Sequence, residues 1–234
     1  MPHDQTKQTI LITGATGTVG SGLAPYFAAR GHRVILTARD RTRLDQLSAS
    51  LKNAPAYTAD LSDTDSLESL VAQLQLDEHA IDVLINNAAD VTSKPFLETS
   101  LEEIDSIVRT NITGTIQLSR LIGADMAVRG RGAIVNISSL AGYKPNPAQT
   151  VYSITKGALN VTSEALRAEL APRGVHLVNV ALMGVGTEAM KIPVETVAQR
   201  IERAIANREP EIFFYRSSKF LMRLYSAFPF LTRR

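Results

Sequence analysis

The 234-residue chain reads as an α/β protein: a single doubly wound parallel sheet of about seven strands with helices on both faces. Three observations predict it. Short β-rich apolar runs recur along the chain, and longer stretches with helical spacing lie between them. The runs are nearly continuous in apolar residues instead of strictly alternating, as expected of strands buried on both faces. A glycine-rich segment joins the first run to the first helical stretch, which with seven strands argues against a (β/α)8 barrel.

In chain order, the first strand is Thr9–Thr13 (TILIT), and Leu23, Tyr26, Phe27 and Arg30 then recur at helical spacing. Strands follow at Arg33–Thr37, Ala56–Ala59 and Asp82–Asn86. Leu101, Ile104, Ile107 and Val108 predict a helix. Ala133–Ser138 predicts a strand, and Leu159, Val161, Ala165, Leu166 and Leu170 predict another helix. Val175–Val180 and Glu211–Tyr215 complete the set. No repeat or composition break appears, so residues 1–215 form one expected domain and 216–234 a tail. In the tail, Phe220, Leu221, Leu224, Tyr225 and Phe228 fall on one helical face. Arg216, Lys219, Arg223 and Ser226 fall on the other, and Pro229 ends the helix.

Composition excludes several function classes. The chain has no Cys, which removes disulfides, thiolate nucleophiles and Cys-ligated metal centres. Its four His are scattered without ligand spacing, so no metal site is expected. A balance of 25 basic and 23 acidic residues leaves no electrostatic footprint for nucleic acid. The polar opening MPHDQTKQT lacks a signal-peptide pattern, and the twelve apolar-rich residues 220–231 fall short of a span. A cytoplasmic protein is expected.

The first strand runs directly into Gly14-Ala15-Thr16-Gly17-Thr18-Val19-Gly20. Glycines at this crossover let the backbone approach a pyrophosphate at the helix N-terminus; the alternative is a glycine turn without a ligand. At the end of the second strand, a site that holds a ribose 2′-hydroxyl would carry Asp or Glu. This chain has Arg39, followed by Arg41 and Arg43. A guanidinium suits a 2′-phosphate, so NADP(H) is expected in preference to NAD(H). The alternative is a solvated first helical turn capped by Asp40.

Tyr152 and Lys156 stand at i,i+4 on one helix face. A free tyrosine is a poor base at neutral pH, and a neighbouring ammonium would lower its pKa into a usable range. A helix-surface pair is the ordinary reading of such spacing. Ser139 ends the fifth strand at the carboxyl edge, where ligands bind in open α/β sheets, and its hydroxyl can hydrogen-bond a carbonyl or alcohol oxygen. The competing role for a serine at a strand end is a turn cap, assigned here to Ser138.

Together TGATGTVG (13–20), Asp60-Leu61, Asn86-Asn87-Ala88, Asn111 in RTNITG, IVNISS (134–139) and YSITK (152–156) resemble the short-chain dehydrogenase/reductase family, short branch, over roughly residues 9 to 215. The resemblance implies a Rossmann-like fold and an oxidoreductase that moves a hydride between NADP(H) and a small-molecule carbonyl or secondary alcohol. It implies Tyr152 as catalytic acid/base and Ser139 as the residue orienting the substrate oxygen. Lys156 would lower the tyrosine pKa and hold the nicotinamide ribose, and Asn111 would interrupt a helix to anchor a relay water. Cofactor contacts implied are Gly14, Thr16, Gly17, Thr18, Val19, Gly20, Arg39, Asp60, Leu61, Asn87, Ala88, Tyr152 and Lys156. Gly184 and Thr187, after the sixth strand, are further implied cofactor contacts, Thr187 to the pyrophosphate or carboxamide. A homodimer or homotetramer is also implied.

The chain departs from the family pattern in places. Thr18 stands where the short branch usually has a loop glycine, Ala89 replaces the glycine closing NNAG, and Met183-Gly184 replaces Pro-Gly. The segment from Gly184 to about Pro193, which in the family covers the substrate, is short. A non-catalytic NADP-sensing or scaffold protein on the same fold is the alternative function; the set Asn111, Ser139, Tyr152 and Lys156 favours the enzyme. The tail has three readings: packing on the body or a sister subunit, peripheral contact with a membrane surface, or a cover over the pocket.

Overall fold

The computed structural model describes residues 7–183, 192–214 and 220. Seven parallel strands form one sheet in the order β3-β2-β1-β4-β5-β6-β7. They are β1 (Thr9–Thr13), β2 (Arg33–Ala38), β3 (Ala56–Thr58), β4 (Val83–Asn86), β5 (Gly132–Ser139), β6 (Val175–Leu182) and β7 (Glu211–Phe213). The strand order reverses between β1 and β4, which opens a crevice at the carboxyl edge.

The alternating side chains of each strand meet two separate cores. Ile10, Ile12, Val34, Leu36, Val83 and Ile85 pack against Leu23 and Phe27 of α1 (Gly20–Ala29), Leu44 of α2 (Arg41–Ser50), and Val197 and Ile201 of α7 (Val194–Ala206). Leu11, Ile35, Leu84, Ile134 and Leu177 face the other way. They meet Leu67, Leu70 and Leu74 of α3 (Thr64–Leu76) and Leu118, Ile122 and Met126 of α5 (Gly114–Arg129). Both strand faces are therefore apolar, which is why the strand sequences do not alternate.

The remaining helices are α4 (Leu101–Val108) and α6 (Thr150–Leu170). A capping box starts α4: the Ser100 hydroxyl accepts from the Glu103 amide, and the Glu103 carboxylate accepts from the Ser100 amide. Helical spacing placed both helices, yet it overstated how much of their apolar face is core. Leu101 and Val161 are exposed, whereas Ile107 and Leu159 are buried. Predicted strand ends shift by one or two residues. Tyr215, Gly184, Thr187 and the amphipathic tail 217–228 lie outside the described residues, apart from the exposed Phe220. Among the described residues no helix is long and apolar enough to cross a membrane.

Candidate functional site

A cleft of about 400 Å³ opens at the carboxyl edge over β1, β2 and β4. Gly14, Thr16, Gly17, Thr18 and Val19 form one wall and Leu61, Asn87 and Ala88 another. Gly14 has φ +59°, and a Cβ there would lie 2.7 Å from the Ala88 Cα, so only glycine fits. Thr18, by contrast, is exposed, so the replacement of the expected glycine costs no space. Gly20 begins α1, whose N-terminus has no side-chain cap and leaves amide donors for an anion.

A residue not singled out from sequence, Thr13, builds the junction between β1 and β4. Its hydroxyl accepts from the amides of Asn87 and Ala88, both at 3.0 Å. Asn87 Nδ2 donates in return to the carbonyls of Thr13 (2.9 Å) and Gly14 (3.0 Å). Asn87 thus holds the glycine loop as well as lining the cleft. Asp60 does not line it. Its carboxylate accepts from the Ser62 amide and hydroxyl, while the neighbouring Ala59 and Leu61 reach the cleft wall.

The three arginines after β2 separate. Arg39 and Arg43 line the cleft, and Arg43 donates to the Thr16 carbonyl at 2.7 Å. Arg41 instead pairs with Asp45 one helical turn on, at 2.8 Å. Asp40 caps α2 by accepting from the Arg43 amide, as the capping alternative expects, while Arg39 and Arg43 still line the cleft. The fit to a phosphorylated dinucleotide rests on the uncapped helix end, the glycine cradle and these two cations. Ala38 and Asp40 flank Arg39 in the same wall.

Ser139, Tyr152 and Lys156 come together where β5 ends beside α6. The Ser139 hydroxyl lies beside the Tyr152 phenol and favours its ionised form. It also accepts from the Ala141 amide at 3.1 Å, capping the turn. The cap expected of Ser138 therefore belongs to Ser139. Ser138 is buried and donates to Asn160 Oδ1 (2.5 Å), tying strand to helix.

Lys156 is buried, its Nζ donating to the Ile137 carbonyl at 2.7 Å and lying 5.6 Å from the centre of the Tyr152 ring. Burial lowers the Lys156 pKa from 10.5 to about 8. The expected lowering of the tyrosine pKa is not found. Burial raises it, and the Ser139 hydroxyl opposes that rise. Proximity at i,i+4 carried no information about desolvation, which works against both charged forms.

The lysine shift has a consequence for stability. A lysine with a depressed folded-state pKa is penalised while charged, and the penalty fades as pH rises from about 8 to 10.5. Wild type should therefore gain about 2 kcal/mol on Lys156→Met between about pH 7.5 and pH 10. Urea unfolding of both proteins at the two pH values measures this; a pH-independent difference would refute it.

Asn111 occupies a π-helical turn, Arg109–Thr113, inserted between α4 and α5. Its side chain is buried and fully used. Oδ1 accepts from the Asp90 amide (2.7 Å), while Nδ2 donates to the Asp90 carbonyl (2.9 Å) and to Thr155 Oγ1 (3.1 Å). Thr155, also not singled out from sequence, donates in turn to the Tyr152 carbonyl at 2.7 Å. Asn111 is thereby linked to the tyrosine's own helical turn.

Beneath these groups runs a buried polar ladder. Asn86, Asn136 and Asn179 are in register on β4, β5 and β6. Asn86 Nδ2 donates to Asn136 Oδ1 (2.8 Å), and Asn136 Nδ2 donates to Ser163 Oγ on α6 (2.8 Å). Asn179 Nδ2 reaches Asn160 Oδ1 (3.0 Å) and the Tyr143 hydroxyl (3.2 Å). In a low-dielectric interior such a network fixes one arrangement of the sheet and α6.

The chain is similar to several reductases and dehydrogenases. A ketoacyl reductase from Nostoc sp. is 34% identical, over 88% of this chain and 78% of the relative. An NADPH-dependent 1-acyldihydroxyacetone phosphate reductase from Schizosaccharomyces pombe is 30% identical, over 83% of this chain and 66% of the relative. The structure of a short-chain dehydrogenase from Sphingobium yanoikuyae in complex with NADPH superposes with TM-score 0.81 at 28% identity, over 97% of this chain and 96% of that one. The family model described as short chain dehydrogenase matches residues 8–197, from before β1 into α7. On that span, and on the sheet order it encloses, the chain belongs to the short-chain dehydrogenase/reductase family.

Proposed function

We propose that the protein is an NADP(H)-dependent oxidoreductase that moves a hydride between nicotinamide and a carbonyl or secondary alcohol. The observation that carries this reading is the grouping of Ser139 and Tyr152 beside buried Lys156, at the same sheet edge as a cleft walled by Arg39 and Arg43. Bound NADPH supplies the hydride. Ser139 orients the substrate oxygen by a hydrogen bond. Tyr152, whose raised pKa keeps it protonated at neutral pH, gives its phenolic proton to that oxygen as a carbonyl is reduced. Lys156 holds the nicotinamide ribose, and Asn111 secures the helical turn that carries Tyr152. A purely sensing protein has no use for this acid and its supports. Arg39 and Arg43 hold the 2′-phosphate, in keeping with the NADPH-dependent relative and the NADPH complex. The exposed apolar residues of α4 and α6, among them Leu101 and Val161, form the contact surface of a homo-oligomer.

A panel of aldehydes and ketones tests the activity, read by loss of reduced-nicotinamide absorbance with NADPH and with NADH. Turnover with NADPH in preference to NADH is expected, and no turnover with any member would count against the reading. Arg39→Ala should weaken NADPH binding by roughly 10- to 100-fold while leaving NADH nearly unchanged, because a charge-assisted contact is worth about 1.5–3 kcal/mol. Dissociation constants for both nucleotides check this, and wild-type preference for NADH would overturn the assignment.

A further inference from the structure

A second concavity, of about 330 Å³, lies at the amino edge of the sheet, opposite the catalytic edge. Three separate loops each deliver one cation to it: Lys7 before β1, Arg131 between α5 and β5, and Arg208 between α7 and β7. None of the three has a side-chain hydrogen bond or ion pair with any other described residue. The one acid in the wall, Asp82, is already matched. It accepts from the Thr9 amide (3.0 Å) and from Arg129 (3.3 Å), which also donates to the Ile81 carbonyl. His176 in the same wall is pushed below its ordinary pKa, first by burial and then by the charges of Arg208 and Arg167. Among the described residues the concavity is therefore a region of uncompensated positive potential, with Ile205 as an apolar patch in its wall.

We propose that this concavity binds the phosphate group of a small organic phosphate, with Lys7, Arg131 and Arg208 as its ligands. Convergence of three cations matches a dianion better than a single carboxylate charge. The volume exceeds what bare phosphate needs and leaves room for a short carbon chain against Ile205. The site does not rest on the proposed activity. Along β5 from Gly132 to Ser139 the two edges are about 23 Å apart, at ~3.3 Å per residue.

The test titrates full-length protein with glycerol 3-phosphate by calorimetry at constant ionic strength, with NADPH saturating so that the cleft over β1 is occupied. Saturable one-to-one binding is expected, weakened at least tenfold in Arg131→Ala/Arg208→Ala, since each guanidinium contact is worth roughly tenfold. Both residues are exposed, so the variant keeps its fold. A parallel arm uses vesicles containing phosphatidic acid. Vesicle retention lost in the double variant, without binding of the soluble ester, assigns the same site to a lipid headgroup. No saturable binding in either arm, or equal affinity in wild type and variant, overturns the proposal. The variant comparison holds whether or not NADPH proves to be the cofactor, so the two readings fail separately.

Discussion

Tyr152→Phe will retain NADPH binding and lose turnover by roughly 10²-fold or more. The ring is kept beside Lys156, and only the hydroxyl next to Ser139 is removed. With the hydroxyl gone, no described group in this arrangement replaces it as the acid. The buried lysine points its ammonium at the Ile137 carbonyl, and Ser139 is a far weaker acid. The measurement is single-turnover reduction of a substrate identified in the carbonyl panel, with nucleotide affinity followed separately by fluorescence. Near-normal turnover with unchanged affinity would sink the mechanism. The wild-type rate for carbonyl reduction should also hold across neutral pH and fall only in the alkaline range, because burial moves the tyrosine pKa upward and so preserves the acid.

Gly142→Ala should cost about 1–3 kcal/mol of stability and lower kcat by roughly 10²-fold, with little change in NADPH affinity. A Cβ at this position would lie 2.5 Å from the Lys156 carbonyl carbon, 2.6 Å from its oxygen and 2.8 Å from Asn160 Nδ2. Two of the three are backbone atoms of α6 and cannot swing aside. The turn Leu140–Gly142 would have to lift, and it is the turn capped by Ser139. The Ser139–Tyr152 spacing then opens while the glycine loop, on β1, is untouched. A kcat loss separated from nucleotide affinity marks a positioning effect; a parallel loss of NADPH binding would mean general unfolding instead. Asn160→Ala tests the same spacing without a clash, by removing the partner of Ser138 and Asn179, and should lower kcat less.

Several elements were legible from the chain alone because their signals are local. Continuous apolar runs marked seven strands, since burial on both faces leaves no polar alternation. Gly14 at the β1–α1 turn and Tyr152 with Lys156 at i,i+4 could be read because a tight turn and a helix face are set by chain neighbours. Other features required strands distant in sequence to become neighbours. Placing β4 beside β1 brings Ala88 against Gly14 and gives Thr13 its two amide partners, and nothing near Thr13 in sequence announces that. Arg39, Arg41 and Arg43 look equivalent in sequence, and only the turn of α2 sends Arg43 to the Thr16 carbonyl and Arg41 to Asp45. The direction of the tyrosine shift was likewise decided by burial, a property of the packed sheet and helix that spacing does not encode. The asparagine ladder and the basic concavity have the same origin: parallel register lines up Asn86, Asn136 and Asn179, and gathers Lys7, Arg131 and Arg208 from three loops at one edge. Periodicity along the chain decides which residues form each element, and the order in which the elements pair decides which of their side chains meet.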